Sequence, residues 1–276
     1  PKGILSKSWL KVNRVLGSKM KSGKVEDTTK RAYPEISVVI PVKNEADSLN
    51  SLINEICQNL RGVKSFEMIF VDDGSEDETS DVLKGLLGQF PELQAFCHDR
   101  CYGQSAAIIT GVKMAKGKVI ATIDGDGQND PADITQLLSS YSDCARENPV
   151  IIVGHRKERK DNFLKRSSSL VANRIRKFFL GDDTPDSGCG LKVFSKEDFL
   201  NLPSFNHMHR FLPALILREG GIVKSVVVNH RPRMHGSSNY DTIRRLFFGI
   251  VDLMGVIWLR KRHIRRKMVS LRDPTK

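Results

Sequence analysis

Five short apolar runs, each followed by a stretch of helical spacing, constrain this chain more tightly than any other feature of it. Ile36-Ser37-Val38-Val39-Ile40 precedes a helical pattern from Glu45 to Leu60, and Glu67 to Val71 precedes one from Asp77 to Leu87. Leu93 to Cys97 is followed by the pattern from Ser105 to Ala115. Val119 to Ile123 is followed by Asn129-Asp130-Pro131, which opens a helix with Pro in its first turn. Val150 to Val153 comes before a basic helix from Asn162 to Phe179. Buried strands alternating with helices build a mostly parallel sheet with helices on both faces. The predicted class is therefore α/β and Rossmann-like, without an internal repeat.

Polar residues gather where these strands end, and that is where open α/β sheets bind ligands. The first run ends in Pro41-Val42-Lys43-Asn44-Glu45, the second in Asp72-Asp73-Gly74-Ser75-Glu76-Asp77, and the fourth in Asp124-Gly125-Asp126-Gly127-Gln128. A carboxylate such as Asp73 can accept from a base N–H or a ribose hydroxyl, while Ser75 or Asp77 caps the next helix. Asp124 and Asp126, with glycines between and after, offer hard oxygens suited to Mg²⁺ or Mn²⁺ holding a diphosphate. Alone, an Asp-Gly-Asp turn is as readily a ligand-free acidic turn. Three polar loops on one sheet edge make a crevice of nucleotide size.

The net charge of +12 would suit nucleic acid or an anionic membrane, so its distribution decides. Residues 1–31 carry nine basic and two acidic residues, and residues 241–276 carry ten and three. The remaining 32–240 hold 25 basic against 27 acidic residues, which excludes a nucleic-acid-binding core. Leu5, Trp9, Val12 and Leu16 recur at helical spacing among lysines. Leu246 to Leu259 is apolar but contains Asp252 and spans only 14 residues, too short for a membrane-crossing helix. Arg260-Lys261-Arg262-His263-Ile264-Arg265-Arg266-Lys267 follows it. Core packing is expected for this apolar segment, and contact with anionic lipid for its basic tail and the N-terminal helix.

Gly17 to Pro34 reads as a linker, dividing the chain into a basic segment at 1–33, a globular domain at 34–240 and an amphipathic end at 241–276. The five cysteines are odd in number and lack CxxC spacing, which favours a reducing cytoplasm over a disulfide framework. No signal peptide is evident. His207 and His209, without a carboxylate close in sequence, read as helix-start residues and not as ligands.

Val38 to Pro41 with Asn44-Glu45, Val71 to Asp77, and Asp124 to Gln128, in this order and spacing, resemble the inverting family-2 glycosyltransferases of the GT-A fold. Within that family the chain is most similar to dolichyl-phosphate mannose synthases and bacterial polyprenyl-phosphate glycosyltransferases, over about residues 35–260. The resemblance implies that Pro41, Lys43, Glu45, Val71 and Asp73 contact the base and ribose of a nucleotide-sugar. It implies that Asp124, Gly125, Asp126 and Gln128 hold the metal and diphosphate. The segment from Gly154 to Asp161 is similar to a basic loop in which Arg156, with Arg159, meets phosphate. Lys165, Arg166 and Ser169, with Asn173, would bind the acceptor phosphate, and Asp186 to Lys192 would line the sugar pocket. His230 to Tyr240 resembles a late loop that closes on the diphosphate, with Arg233 in the arginine position. Asn239 stands where many members carry lysine, so Arg231 or His235 is expected to stand in for it. Membrane-spanning C-terminal helices of some bacterial relatives have no counterpart, which leaves peripheral attachment at the cytoplasmic membrane face.

The chemistry implied is transfer of a sugar from a UDP- or GDP-sugar to a polyprenyl phosphate. A phosphate monoester has a second pKa of about 6, so it is largely an anionic nucleophile at pH 7 and needs no base. Cations that gather two anions and stabilise the leaving diphosphate are what such a site must supply. The expected catalytic set is Asp124, Asp126, Arg156 and Asp186. Transfer to a glycan hydroxyl in envelope polysaccharide synthesis would require a base, for which Asp186 is the candidate. The absence of a QxxRW signature weighs against that alternative. The intact Asp124, Asp126 and Gln128 weigh against a catalytically dead membrane scaffold.

Overall fold

The computed structural model describes residues 34–144, 148–156, 179–232 and 242–264. Seven strands among them form one sheet: β1 (Ile36–Val42), β2 (Phe66–Asp72), β3 (Leu93–Cys97), β4 (Val119–Thr122), β5 (Val150–Arg156), β6 (Lys192–Ser195) and β7 (Ile222–Val228). Their order is β3-β2-β1-β4-β6-β5-β7. Every neighbouring pair is parallel except those made by β6, which runs against both β4 and β5. The α/β expectation holds, and each of the five anticipated strands is present, with ends within two residues except that β5 runs three residues further, to Arg156.

Helices α1 (Ala46–Leu60), α2 (Thr79–Leu86), α3 (Gln104–Met114), α4 (Asp133–Cys144), α5 (Lys196–Leu200), α6 (Leu212–Arg218) and α7 (Thr242–Lys261) accompany the sheet, with a short 3-10 turn at Met208–Arg210. Pro131 precedes α4 by two residues and lies in the turn leading into it, where Asp130 Oδ1 accepts from the Ala132 amide at 3.0 Å. Alternate residues of each strand point to opposite faces. Val38, Ile40, Met68 and Phe70 therefore meet Leu49, Leu52, Ile53, Ile56 and Leu60 of α1 in one apolar layer. Val39, Ile69, Val71, Ile120 and Phe194 meet Ala107, Ile108 and Val112 of α3 and Leu212 and Leu215 of α6 in the other. The 3- and 4-residue spacing of the α1 set is what makes that segment an amphipathic helix.

α7 meets the expectation of core packing on one side. Val256 is fully buried and Leu253 and Ile257 pack beside it, on the second layer. Asp252 pairs with His207 at 2.8 Å, and Arg218 Nε donates to the Leu259 carbonyl at 3.1 Å. The opposite side of the helix is apolar yet exposed: Ile250, Val251, Met254 and Trp258, the last at 61%. Lys261 and Arg262 close the same exposed side at its C-terminal end. Asp252 and Arg260 share the inward side of the helix with the buried Val256. No helix among the described residues is long and apolar enough to cross a membrane.

The N-terminal helix and linker, the basic helix with Arg159, Lys165, Arg166, Ser169 and Asn173, the late-loop residues Arg233, His235 and Asn239, and the tail from Arg265 onward lie outside the described residues.

Candidate active site

The loops after β1 and β2 are knitted into one wall. Val42 and Asp72 are register partners, and the Asp73 amide donates to the Val42 carbonyl at 2.9 Å. Asn44 takes up a positive φ of 55°, from which its amide reaches Ser75 Oγ and its side-chain oxygen accepts from the Glu76 amide at 2.8 Å. Asp77 accepts from the amides of Thr79 and Ala46 and so serves the starts of two helices. Thr79 Oγ1 in turn accepts from the Glu45 amide at 2.9 Å. Lys43 lies near Cys101, whose side chain, with the negative charges of Asp73 and Glu76, raises the lysine pKa.

Two adjacent carboxylates end β2, and each has its own partners. Asp72 is 1% exposed and accepts from the Ser75 amide and from the hydroxyls of Ser75 and Ser80. Asp73 is 4% exposed and accepts on Oδ1 from His98 Nδ1 at 2.8 Å and the Tyr102 amide at 2.9 Å. Its Oδ2 accepts from the Gly103 amide at 2.7 Å and from Cys101 Sγ. Burial alone would raise the Asp73 pKa, but these bonds, His98 foremost, outweigh it and hold the carboxyl below its ordinary value. A carboxylate offers about four acceptor positions, and here all four go to the His98–Gly103 loop. Asp73 therefore shapes the crevice by ordering that loop. Gly74 is required beside it, since a Cβ there would press into the Arg100 backbone.

Asp124 leaves the end of β4 and lies between the two halves of the sheet. Gln104, the first residue of α3, donates to its Oδ1 at 2.8 Å. Gly190 packs directly on its carboxylate, leaving no room for a Cβ. Burial, and then the charge of Asp126, push the Asp124 pKa up to about 6. A cation beside Asp126 would relieve the Asp124 carboxylate of that burden. Among the described residues no third His, Cys, Asp or Glu completes a metal-binding group with them. That donor set fits Mg²⁺ or Mn²⁺, which take one or two carboxylates and fill the remaining positions with phosphate oxygens and water. The turn is held in place by Ser48, whose hydroxyl donates to the Gly125 carbonyl at 2.6 Å, and by Asp126 Oδ1, which accepts from the Gln128 amide.

The far wall comes from β5 and from the segment before β6. Arg156 donates through Nε and Nη2 to the two oxygens of Asp186 at 2.6 and 2.9 Å. Burial works against the guanidinium, yet this pairing raises its pKa overall. Lys192 is 3% exposed and its ammonium donates to the Cys189 carbonyl. Burial lowers its pKa, opposed by Cys189, Asp124 and Asp186. Thr122 Oγ1 donates to the Gly190 carbonyl at 2.7 Å, which stitches this wall to β4. At the floor, His209 Nδ1 lies 2.7 Å from Ser105 Oγ. Burial, with Lys192, Arg210 and His207 nearby, drives the His209 pKa well below its ordinary value.

Asp73, Asp124, Asp126, Arg156 and Asp186 thus converge on one sheet edge, with Pro41, Lys43, Glu45 and Val71 at the ends of β1 and β2. His207 does have a carboxylate, Asp252, brought to it by the fold from 45 residues away. Arg231, one of the two residues expected to stand in at the Asn239 position, pairs with Glu55 at 2.5 Å and Asp130 at 2.9 Å. Gln104 and Ser48 were not anticipated as site residues. Lys192 was expected only as the end of the 186–192 turn, although a lone charge in the apolar run Leu191-Lys192-Val193-Phe194 marks it, since such a charge in a buried strand needs a partner.

A family model described as Glycosyl transferase family 2 matches residues 37–202. The chain is 35% identical over 240 residues to a dodecaprenyl-phosphate galacturonate synthase of Rhizobium johnstonii, covering 82% of this chain and 68% of that protein. It is 29% identical over 243 residues to an undecaprenyl-phosphate 4-deoxy-4-formamido-L-arabinose transferase of Edwardsiella ictaluri, covering 86% and 73%. In fold it is similar to mannosyl-3-phosphoglycerate synthase from Rubrobacter xylanophilus, with a TM-score of 0.64 at 18% identity over 86% of this chain and 79% of that one. Glucosyl-3-phosphoglycerate synthase from Mycobacterium tuberculosis, solved with Mg²⁺ and UDP, gives 0.61 at 16% identity over 82% and 79%.

Proposed function

The chain belongs to glycosyl transferase family 2, and on that premise we propose that it moves a sugar, with inversion, from a nucleotide-sugar to the phosphate of a polyprenyl lipid. The observation that carries the acceptor assignment is the Arg156–Asp186 pair. A hydroxyl acceptor would need a general base, and Asp186 has both oxygens committed to a guanidinium. A phosphate acceptor needs a fixed cation instead, and a carboxylate gripping Arg156 bidentately fixes one. The names of the two curated relatives, both polyprenyl-phosphate enzymes, point the same way.

In this reading the ends of β1 and β2 cradle the base and ribose, with the loop ordered by Asp73 as one wall. Asp124 and Asp126, with Gln128, would hold a divalent cation, which neutralises charge on the departing nucleoside diphosphate. Gln104 and Gly190 fix the Asp124 carboxylate so that it does not have to reorganise. Lys192 adds a buried positive charge that offsets Asp124 and Asp186. Arg156 orients the acceptor phosphate for in-line attack from the face opposite the diphosphate, giving inversion. The exposed apolar stripe of α7, ending in Lys261 and Arg262, supports attachment to an anionic membrane surface on its cytoplasmic face, where the lipid phosphate is presented.

The test is transfer of radiolabel from UDP- or GDP-sugars, with Mn²⁺, to polyprenyl phosphate in vesicles. Label in an organic-extractable, acid-labile lipid is expected. Label only in water-soluble glycan would overturn the acceptor assignment.

A further inference from the structure

The turn from Gly125 to Asp130 stands between β4 and α4 outside both elements, with Gly127 at a positive φ of 70°. What fixes its far end is a short antiparallel contact with the residues that follow β7. The Arg231 amide donates to the Gln128 carbonyl at 2.9 Å, and Asn129 and His230 form an isolated bridge. The Asn229 amide donates to Asp133 Oδ2 at 2.7 Å, at the start of α4. The Arg231 side chain then spans outward, with Nη1 on Glu55 Oε2 of α1 at 2.5 Å and Nη2 on Asp130 Oδ1 at 2.9 Å. α1 also supplies Ser48, which holds the near end of the same turn at Gly125.

We propose that Arg231 is a positioning residue for the diphosphate-holding turn, tying Gln128–Asp130 to α1 so that Asp126 and Gln128 keep one arrangement. The argument is one of geometry and charge. Glu55 and Asp130 are two acids on different elements, drawn together by a single guanidinium whose fork matches both. Without it they repel, and their repulsion would be transmitted to a turn whose own backbone bonds are few. With it, the turn is clamped at both ends by one helix. Such outer residues, which touch the residues that hold an ion and not the ion itself, commonly set its affinity by tenfold or more. The inference rests on the donor-site reading above.

The experiment compares wild type with Arg231→Met, Arg231→Lys and Glu55→Gln, using Mn²⁺ alone and Mn²⁺ with UDP or GDP as probes. Mn²⁺ affinity is read by electron paramagnetic resonance, nucleotide binding by the rise in Tm, and donor KM separately from kcat. R231M should weaken Mn²⁺·nucleoside diphosphate binding about tenfold and raise donor KM. R231K should recover part of that loss, and E55Q should fall between wild type and R231M. Wild-type Mn²⁺ affinity and donor KM in folded R231M would overturn the inference. Should R231M fail to fold, E55Q decides, because wild-type affinity there overturns it equally. If wild type itself binds neither UDP nor GDP, the donor-site reading fails and takes this inference with it. Normal wild-type binding with unaltered variants sinks this inference alone.

Discussion

Arg156 and Asp186 meet through two parallel hydrogen bonds, Nε to Oδ2 at 2.6 Å and Nη2 to Oδ1 at 2.9 Å, across the seam between β5 and the segment preceding β6. Their side chains are 12% and 5% exposed, so water does little to screen them. Removing one partner strands the other's charge.

Asp186→Asn should therefore destabilise the fold by about 3–5 kcal/mol in urea titration, the range for breaking a buried pair. Turnover should fall about a hundredfold, because Arg156 loses its aim. The pH–rate profile discriminates between roles. Its acid limb should survive in D186N if Asp186 positions Arg156, and disappear if Asp186 is a base.

Gly190→Ala places a methyl group where the Asp124 carboxylate now lies. Expected are a folded protein by circular dichroism, weaker Mn²⁺ binding and a loss of turnover at least as large as that of Asp126→Ala. Normal Mn²⁺ affinity in G190A would show that the carboxylate has room to move.

His209 gives a pH dependence of stability with a definite sign. Its folded-state pKa is depressed, first by burial and then by Lys192, Arg210 and His207. Below the ordinary value of about 6.5 the unfolded chain takes up a proton that the native state refuses. Stability is thus complete above about pH 6.5 and declines as pH falls below it, by up to about 1.4 kcal/mol per unit from this group. Denaturant midpoints between pH 8 and 5 should show a shallower decline in His209→Gln than in wild type.

α7 yields a membrane prediction. Trp258→Ala should lower partitioning to vesicles of anionic lipid by about tenfold or more, as expected from removing a large apolar side chain. Replacing Lys261 and Arg262 with Gln should remove about 1 kcal/mol each and flatten the salt dependence. Co-sedimentation at two ionic strengths separates the two contributions. Equal partitioning of the Trp258 variant would mean that the exposed stripe meets something other than lipid.

The parallel half of the fold was legible in the sequence because its strands are buried on both faces and read as continuous apolar runs. β1, β2, β4 and β5 are mostly of this kind, whereas β3 is an edge strand in which only Leu93 is buried. β6 is only four residues long and carries Lys192, and β7 is an edge strand whose Ile222, Lys224 and Val227 face outward, so neither has a clean pattern. The same division applies to the site. Asp124, Asp126 and Asp73 follow strands at fixed offsets and announce themselves. Gln104, Ser48 and the His207–Asp252 pair act through contacts 20, 77 and 45 residues away, and nothing local in the chain encodes such distances. α7 was read only in part, for a related reason. Its composition says apolar, but which of its sides meets the core depends on where Val256 lands.

The reversed strand β6 has a further consequence. Asp73, Asp124 and Asp126 follow the strands that carry them and Arg156 ends β5, whereas residues 186–191 arrive before β6. An insertion ahead of β6 can thus reshape the wall opposite Asp124 without shifting the register of β1, β2 or β4. The wall before β6 and the turn after β4 are thus separable parts of one sheet, and a change in the length of the first leaves the strand pairing beneath the second as it is.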